Sequence, residues 1–383
     1  MRLKNLLFGA ITAALLATQS FAFRTDARAA FVIDHSTGTV LLEKRADVPF
    51  PPASMSKLMT LYMTFEAIRE GRLSWTERLP VSRHAMAYRG STMFLDTSDR
   101  VSVQDLVRGI IVLSGNDACA VIAEALSFDG SEAGFAQMMT KRAKELGMTA
   151  STFANSNGWP DPNQRMSMRD LGILANRLIT DFPEHYPLFA ERVFEFDGRA
   201  PANTQNRNPL LGLGIGADGL KTGHTEEAGY GLVGSAKLGD RRIIFVISGL
   251  PSARARAIEA ERINTWAFRQ FSTKTIAPAG DILAEVPVWM GKQRTVGLTT
   301  ATPLKILTPI TGSDGMTTTL TYQGPIEAPI KQGDVIAELV VTTPGLPDHH
   351  IPLMASTGVE RGGVVTRLRT AAQVLWGNIW GRD

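Results

Sequence analysis

One cysteine in 383 residues leaves no internal disulfide framework and no cysteine-built zinc or iron–sulfur site within a single chain. Charge of one sign is also scarce: forty Lys and Arg against thirty-seven Asp and Glu leave +3, too little for the dense basic surface that nucleic acid requires, so no nucleic-acid partner is expected. Beyond the N-terminus no run reaches the roughly 18 consecutive apolar residues of a membrane-spanning helix. Composition is otherwise that of a folded globular chain, 44% hydrophobic and 20% charged, and the length suits two or three domains.

Arg2 and Lys4 precede an apolar run over residues 6–17, and Ser20-Phe21-Ala22 places small residues where a signal peptidase reads them. Residues 1–22 are therefore expected to be a cleaved signal peptide, and the mature chain an exported protein. The run is too short to span a bilayer stably.

Phe31-Val32-Ile33 and Val40-Leu41-Leu42 flank a tight turn and predict a hairpin. Helical periodicity follows from Pro51-Pro52 to about Arg72, then over residues 103–113, 117–126 and 131–146; Ser167-Met168-Arg169-Asp170 has the form of a capping box at another helix start. A second hairpin is expected around Gly239-Asp240, and a helix over about 256–271. Strands at both ends of a helical middle, joined by hairpins, predict an α+β fold with a mainly antiparallel sheet flanked by helices. Past Ala277-Pro278-Ala279-Gly280, short strand-like runs such as 284–288 and 335–341 predict a small all-β domain. In the tail, Val364, Leu368, Ala372, Leu375 and Ile379 share one helical face; with Trp376, Trp380 and several arginines, this amphipathic helix is expected to lie on a membrane surface. The expected domains are thus 1–22 (signal peptide), 23–274 (catalytic), 275–360 (small β domain) and 361–383 (anchor helix).

Three short motifs carry candidate chemistry. Ser54-Met55-Ser56-Lys57 puts a hydroxyl and an amine on one face of a helix start, where burial and the positive helix end favour an uncharged lysine able to take the serine proton. Ser114-Gly115-Asn116 ends an apolar run in a loop that can point into a cleft. On a strand, Lys221 and Gly223 share one face and Thr222 takes the other; the absent side chain at Gly223 permits close backbone approach, and an extended peptide could dock along the strand. Cys119 is expected to pack in the core, and the adjacent His349 and His350 lack the further ligands a metal needs. Glu226 and Glu227 are expected to be a solvated pair.

In that order, at separations of about 60 and 105 residues, these motifs resemble the Ser-x-x-Lys, Ser-x-Asn and Lys-Thr-Gly set of penicillin-binding proteins, specifically the low-molecular-mass serine D-Ala-D-Ala carboxypeptidases. The resemblance implies a transpeptidase-like fold and removal of the terminal D-alanine from peptidoglycan pentapeptide stems, without metal or organic cofactor. It implies Ser54 as the acylated nucleophile, Lys57 as its base, Ser114 as a proton relay and Lys221 as an electrostatic neighbour. It further implies that Asn116 holds the substrate amide, that Thr222 and Arg256 bind the terminal carboxylate, and that the backbone N–H groups of Ser54 and His224 form the oxyanion hole. Peptidoglycan stem peptides would be the substrate, β-lactams the inhibitors, and the tail would attach the protein to the outer face of the cytoplasmic membrane, in the periplasm. Relatives commonly carry a His a few residues before the position of Ser167; here Asn163-Gln164-Arg165-Met166 stands instead. No Glu-x-x-Leu-Asn lies between the second and third motifs, which argues against a β-lactamase. Endopeptidase or transpeptidase action on cross-linked stems would use the same acyl-enzyme, and a non-catalytic envelope scaffold is the alternative outside enzymes.

Overall fold

A computed structural model describes residues 23–199, 202–310 and 315–363; the expected signal peptide and the tail over 364–383 lie outside the described residues. The chain opens with the expected hairpin, β1 (Ala29–Asp34) and β2 (Val40–Lys44). A 3-10 turn over Ala53–Ser56 leads directly into α1 (Lys57–Arg69). A short ribbon of β3 (Arg78–Pro80) and β4 (Arg100–Ser102) brackets α2 (Arg83–Met86). Then come α3 (Val103–Arg108), which widens into a π-helical turn over Gly109–Leu113, α4 (Asn116–Leu126), α5 (Glu132–Glu145) and α6 (Met168–Asp181). The Ser167 hydroxyl accepts from the Asp170 backbone N–H, satisfying one of the open donors at the start of α6, as the capping pattern predicts.

β5 (Ala217–Thr225), β6 (Gly229–Leu238) and β7 (Arg241–Leu250) complete a fully antiparallel sheet of order β2-β1-β7-β6-β5, followed by α7 (Ala253–Gln270). Strand periodicity divides the apolar side chains between its two faces. Phe31, Val233, Ile244 and Val246 join the core built by the helical middle of the chain, whereas Val32, Leu232, Phe245 and Ile247 pack with Ala260, Ile263 and Ala267 of α7. β5 is left as an edge, with one row of backbone groups not claimed by the sheet.

The remaining strands are β8 (Phe271–Ala277), β9 (Ala284–Trp289), β10 (Thr295–Thr299), β11 (Leu304–Pro309), β12 (Thr317–Thr321), β13 (Ile326–Glu327), β14 (Val335–Thr342) and β15 (His349–Ala355). Six form a sheet of order β12-β14-β15-β10-β9-β13 around an aliphatic core that includes Val286, Leu298, Ile330 and Leu353. β8 pairs with β11, and Leu307 of β11 is buried in the α7 core, so this ribbon ties the β layer to the larger unit.

Candidate active site

Ser54 lies in the 3-10 turn before α1, partly exposed, preceded by Ala53 at φ 49°. A residue with a Cβ visits that left-handed region at a cost, so the neighbouring packing must hold the turn in place. Three contacts do so. Met55 is a buried plug beneath β5 and β6: a Cβ at Gly223 would lie 3.0 Å from both Met55 Cγ and the Pro52 carbonyl oxygen, and one at Gly231 would lie 2.8 Å from Met55 Cε. On the other side Gly158, at φ 83°, approaches so closely that a Cβ would overlap the Ala53 carbonyl. The close approach expected at Gly223 is thus made by the turn that carries Ser54.

Lys57 is fully buried on the first turn of α1. Its Nζ lies 2.9 Å from Ser54 Oγ, 2.7 Å from Asn116 Oδ1 and 2.5 Å from the Asn157 carbonyl oxygen. Burial brings its pKa down to about 8, with Arg207 adding to the effect and Cys119, Asp117 and Glu132 opposing it. The surroundings suit a neutral amine: Asn116 Oδ1 and the Asn157 carbonyl can only accept and take its two N–H groups, while Ser54 can turn its O–H toward the remaining lone pair.

Ser114 ends the π-helical turn at φ 64°, and Lys221 Nζ, buried in the middle of β5, donates to its Oγ at 2.9 Å. Burial, then the charges of Lys57 and Arg207, hold Lys221 well below the ordinary lysine range. Asn116 uses one N–H of its carboxamide on the Arg89 carbonyl at 2.8 Å, leaving a second N–H for another acceptor. Thr222 is buried on β5; the His224 side chain is exposed and stacks on Tyr230 with ring centroids 3.8 Å apart. Arg256 stands on the first turn of α7, buried, its guanidinium over the Tyr230 ring and Nη2 3.3 Å from the Arg207 carbonyl. Its Nε is buried with no partner among the described residues, and burial lowers its pKa to about 10. All nine residues singled out in the sequence therefore lie on the elements that converge on this cleft.

Four others had no short-range signal. Arg207, from the irregular stretch before β5, binds Ser91 Oγ at 2.7 Å, the Leu113 carbonyl at 3.1 Å and Asn203 Oδ1 at 2.9 Å, which places its charge behind Ser114 and Lys221. Glu132 is a buried hub: one oxygen accepts from the backbone N–H and hydroxyl of Ser156 and from Asn157 Nδ2, the other from His84 Nε2 and Tyr88 Oη. It thereby fixes the Asn157 carbonyl against Lys57. Gln164, within the stretch where relatives commonly carry a His, is buried, and its Oε1 accepts from the Ala154 and Asn155 backbone N–H groups, clasping the same loop. Asn157 itself contributes through its carbonyl, and a backbone atom leaves no trace in side-chain identity.

Cys119 packs in the core as expected, and burial pushes its thiol up to about 12, far from a nucleophilic thiolate. Glu227 is paired rather than only solvated, 3.1 Å from Arg165. His350 meets Glu338 and His349 lies against Gly38; among the described residues no group of three His, Cys, Asp or Glu could hold a metal ion.

With this geometry in view, comparison with known proteins gives a consistent answer. Residues 16–252 match the family model described as D-alanyl-D-alanine carboxypeptidase. The chain belongs to this family. Residues 271–361 match the C-terminal domain of penicillin-binding protein 5. The D-alanyl-D-alanine carboxypeptidase DacC of Escherichia coli is 36% identical over 352 residues, 90% of this chain and 86% of that protein; DacF of Bacillus subtilis is 32% identical over 352 residues, 90% and 88% of the two chains. Among solved structures, penicillin-binding protein 5 from Haemophilus influenzae superposes with a TM-score of 0.78 at 32% identity, covering 88% of this chain and 99% of that one. Penicillin-binding protein D2 from Listeria monocytogenes in its ampicillin-bound form reaches 0.57 at 32% identity over 63% of this chain and 97% of that one. The carboxypeptidase is a serine-type hydrolase with the transpeptidase fold and a C-terminal all-β domain, as the motifs imply.

Proposed function

We propose that Ser54 attacks the carbonyl joining the last two D-alanines of a peptidoglycan pentapeptide stem. As the Oγ–carbon bond forms, the hydroxyl proton passes to Lys57 Nζ, 2.9 Å away. The carbonyl oxygen gains negative charge beside the backbone N–H groups of Ser54 and His224, and the free N–H of Asn116 holds the acyl-side amide. The C–N bond then breaks, the departing D-alanine takes a proton relayed through Ser114, and Lys221 tunes that hydroxyl electrostatically. Thr222 and Arg256 receive the terminal carboxylate. Water hydrolyses the ester, restoring Ser54 and releasing a tetrapeptide stem. The observation that carries this reading is Lys57 Nζ, held in the dry interior between two obligate acceptors with its remaining direction toward Ser54 Oγ.

β-Lactams, whose strained amide imitates the D-Ala-D-Ala terminus, acylate the same serine; the ampicillin-bound relative supports this. The division into residues 1–22, 23–274, 275–360 and 361–383 describes an exported periplasmic enzyme whose β domain holds the catalytic unit away from the bilayer and whose tail binds the outer face of the cytoplasmic membrane. No helix among the described residues is long and apolar enough to cross a membrane. Mass spectrometry of a pentapeptide stem incubated with wild type and Ser54→Ala tests the chemistry: loss of one alanine only with wild type is expected. Penicillin labelling of Ser54 without alanine release would redirect the assignment to cross-linked substrates. Removal of residues 364–383 should free the protein from membranes, and retention would sink the anchor.

A further inference from the structure

Beside Asn116 lies a recess of about 390 Å³ lined by His84, Ala87, Tyr88, Arg89 and Trp159. It adjoins the cleft on the side of the acyl-holding asparagine: the Arg89 carbonyl accepts from Asn116 Nδ2, and a Cβ built at Gly90 would touch both Asn116 Nδ2 and the Trp159 ring, each at 3.6 Å. The aromatic walls touch one another and share an anchor. Tyr88 and Trp159 meet edge to face with centroids 6.0 Å apart, His84 and Tyr88 do so at 5.5 Å, and Tyr88 Oη and His84 Nε2 are both anchored on Glu132. The Glu132 carboxylate behind these rings is buried and saturated by five donors, so its charge is already answered. The exposed Arg89 guanidinium, by contrast, has no hydrogen bond or ion pair to any described carboxylate. An aromatic platform with one uncommitted planar cation at its rim suits a carboxylate that reaches out from a peptide backbone.

Resting on the carboxypeptidase reading above, we infer that this recess is the subsite for a free carboxylate of the stem upstream of the scissile bond, with Arg89 as its partner and Trp159 and Tyr88 packing against the adjoining aliphatic carbons. The terminal carboxylate goes to the Thr222 and Arg256 side, so the upstream chain leaves Ser54 past Asn116 and reaches the recess. Two stem positions offer a carboxylate: the α-carboxylate of the second residue, an isoglutamate, and the side-chain carboxylate of a diamino diacid at the third.

The test measures kcat/KM of the full chain on four pentapeptide stems, with carboxylate or amide at the second position combined with carboxylate or amide at the third. In wild type, amidation at one of the two positions should lower kcat/KM about fivefold, the size of a partly exposed ion pair, and that position identifies the source. In Arg89→Ala the ratio should collapse to about one, and in Arg89→Glu it should invert. Each ratio is taken within one variant, so a general loss of activity cancels. Wild-type indifference to both amidations, or a ratio unchanged in Arg89→Ala, overturns the inference while leaving the carboxypeptidase standing. Failure of wild type to cleave any of the four stems overturns both.

Discussion

The catalytic unit and the β layer that follows it are built on opposite terms. In the β layer after α7, the buried polar side chains among the described residues are few and uncharged, Thr300 and Thr343, around Val286, Leu298, Ile330 and Leu353. In the catalytic unit Lys57, Asp117, Glu132, Lys221 and Arg256 are all buried, and their charges depend on partners far away in sequence. An aliphatic core gains stability from each methylene removed from water, whereas a desolvated charge costs stability unless it is matched. The difference separates a scaffold from a site in which unfavourable desolvation lowers the pKa of an amine and so keeps part of it neutral at ordinary pH.

The sharpest test of that contrast is Lys57→Ala, which removes the proposed base and leaves Ser54 without a proton acceptor. Penicillin acylation, read by stopped-flow, should slow by about a thousandfold or more. Retention of near-normal acylation would assign the proton to another group. Next in size is pH. The proposed base can accept a proton only when neutral, and with the Lys57 pKa near 8 about one tenth of it is neutral at pH 7. Acylation should therefore fall about tenfold per unit as pH drops below 7 and level off above about 8; a flat profile between pH 5 and 8 would remove Lys57 from the base role.

Glu132→Gln extends the comparison to a buried charge that does not touch the proposed reacting atoms. The amide would present an N–H to groups that now donate, costing about 1–3 kcal/mol of unfolding free energy by denaturant titration, and turnover should fall about tenfold as the Asn157 carbonyl loosens from Lys57. Unchanged turnover would detach the loop from catalysis. The smallest effect on chemistry belongs to the core of the β layer. Leu353→Ala should cost about 2–5 kcal/mol in the β layer while leaving acylation of the folded protein at its wild-type rate. A slowed acylation would mean that the layers are coupled through the β8–β11 ribbon.

How far the sequence reached follows from range. Ser54 and Lys57 are three residues apart on one turn, so their contact was legible from spacing, as was the Ser167 cap. The Ser114 and Lys221 motifs were legible as members of a family pattern, but their mutual contact spans 107 residues and only the fold makes it. Glu132 begins an ordinary helix, Gln164 stands in a loop, and Arg207 lies between elements; nothing local distinguishes them from solvated side chains.

By itself, then, the sequence determined the inventory: a serine and a lysine one turn apart, a strand carrying Lys221, Thr222 and Gly223, and the order of the main helices and strands, because these depend on neighbours within a few residues. Only the tertiary structure decided which of those groups are dry, which charges face them and which carbonyl completes the circle around Lys57. Desolvation and Coulomb interaction depend on distance through space, and chain separation carries almost no information about it.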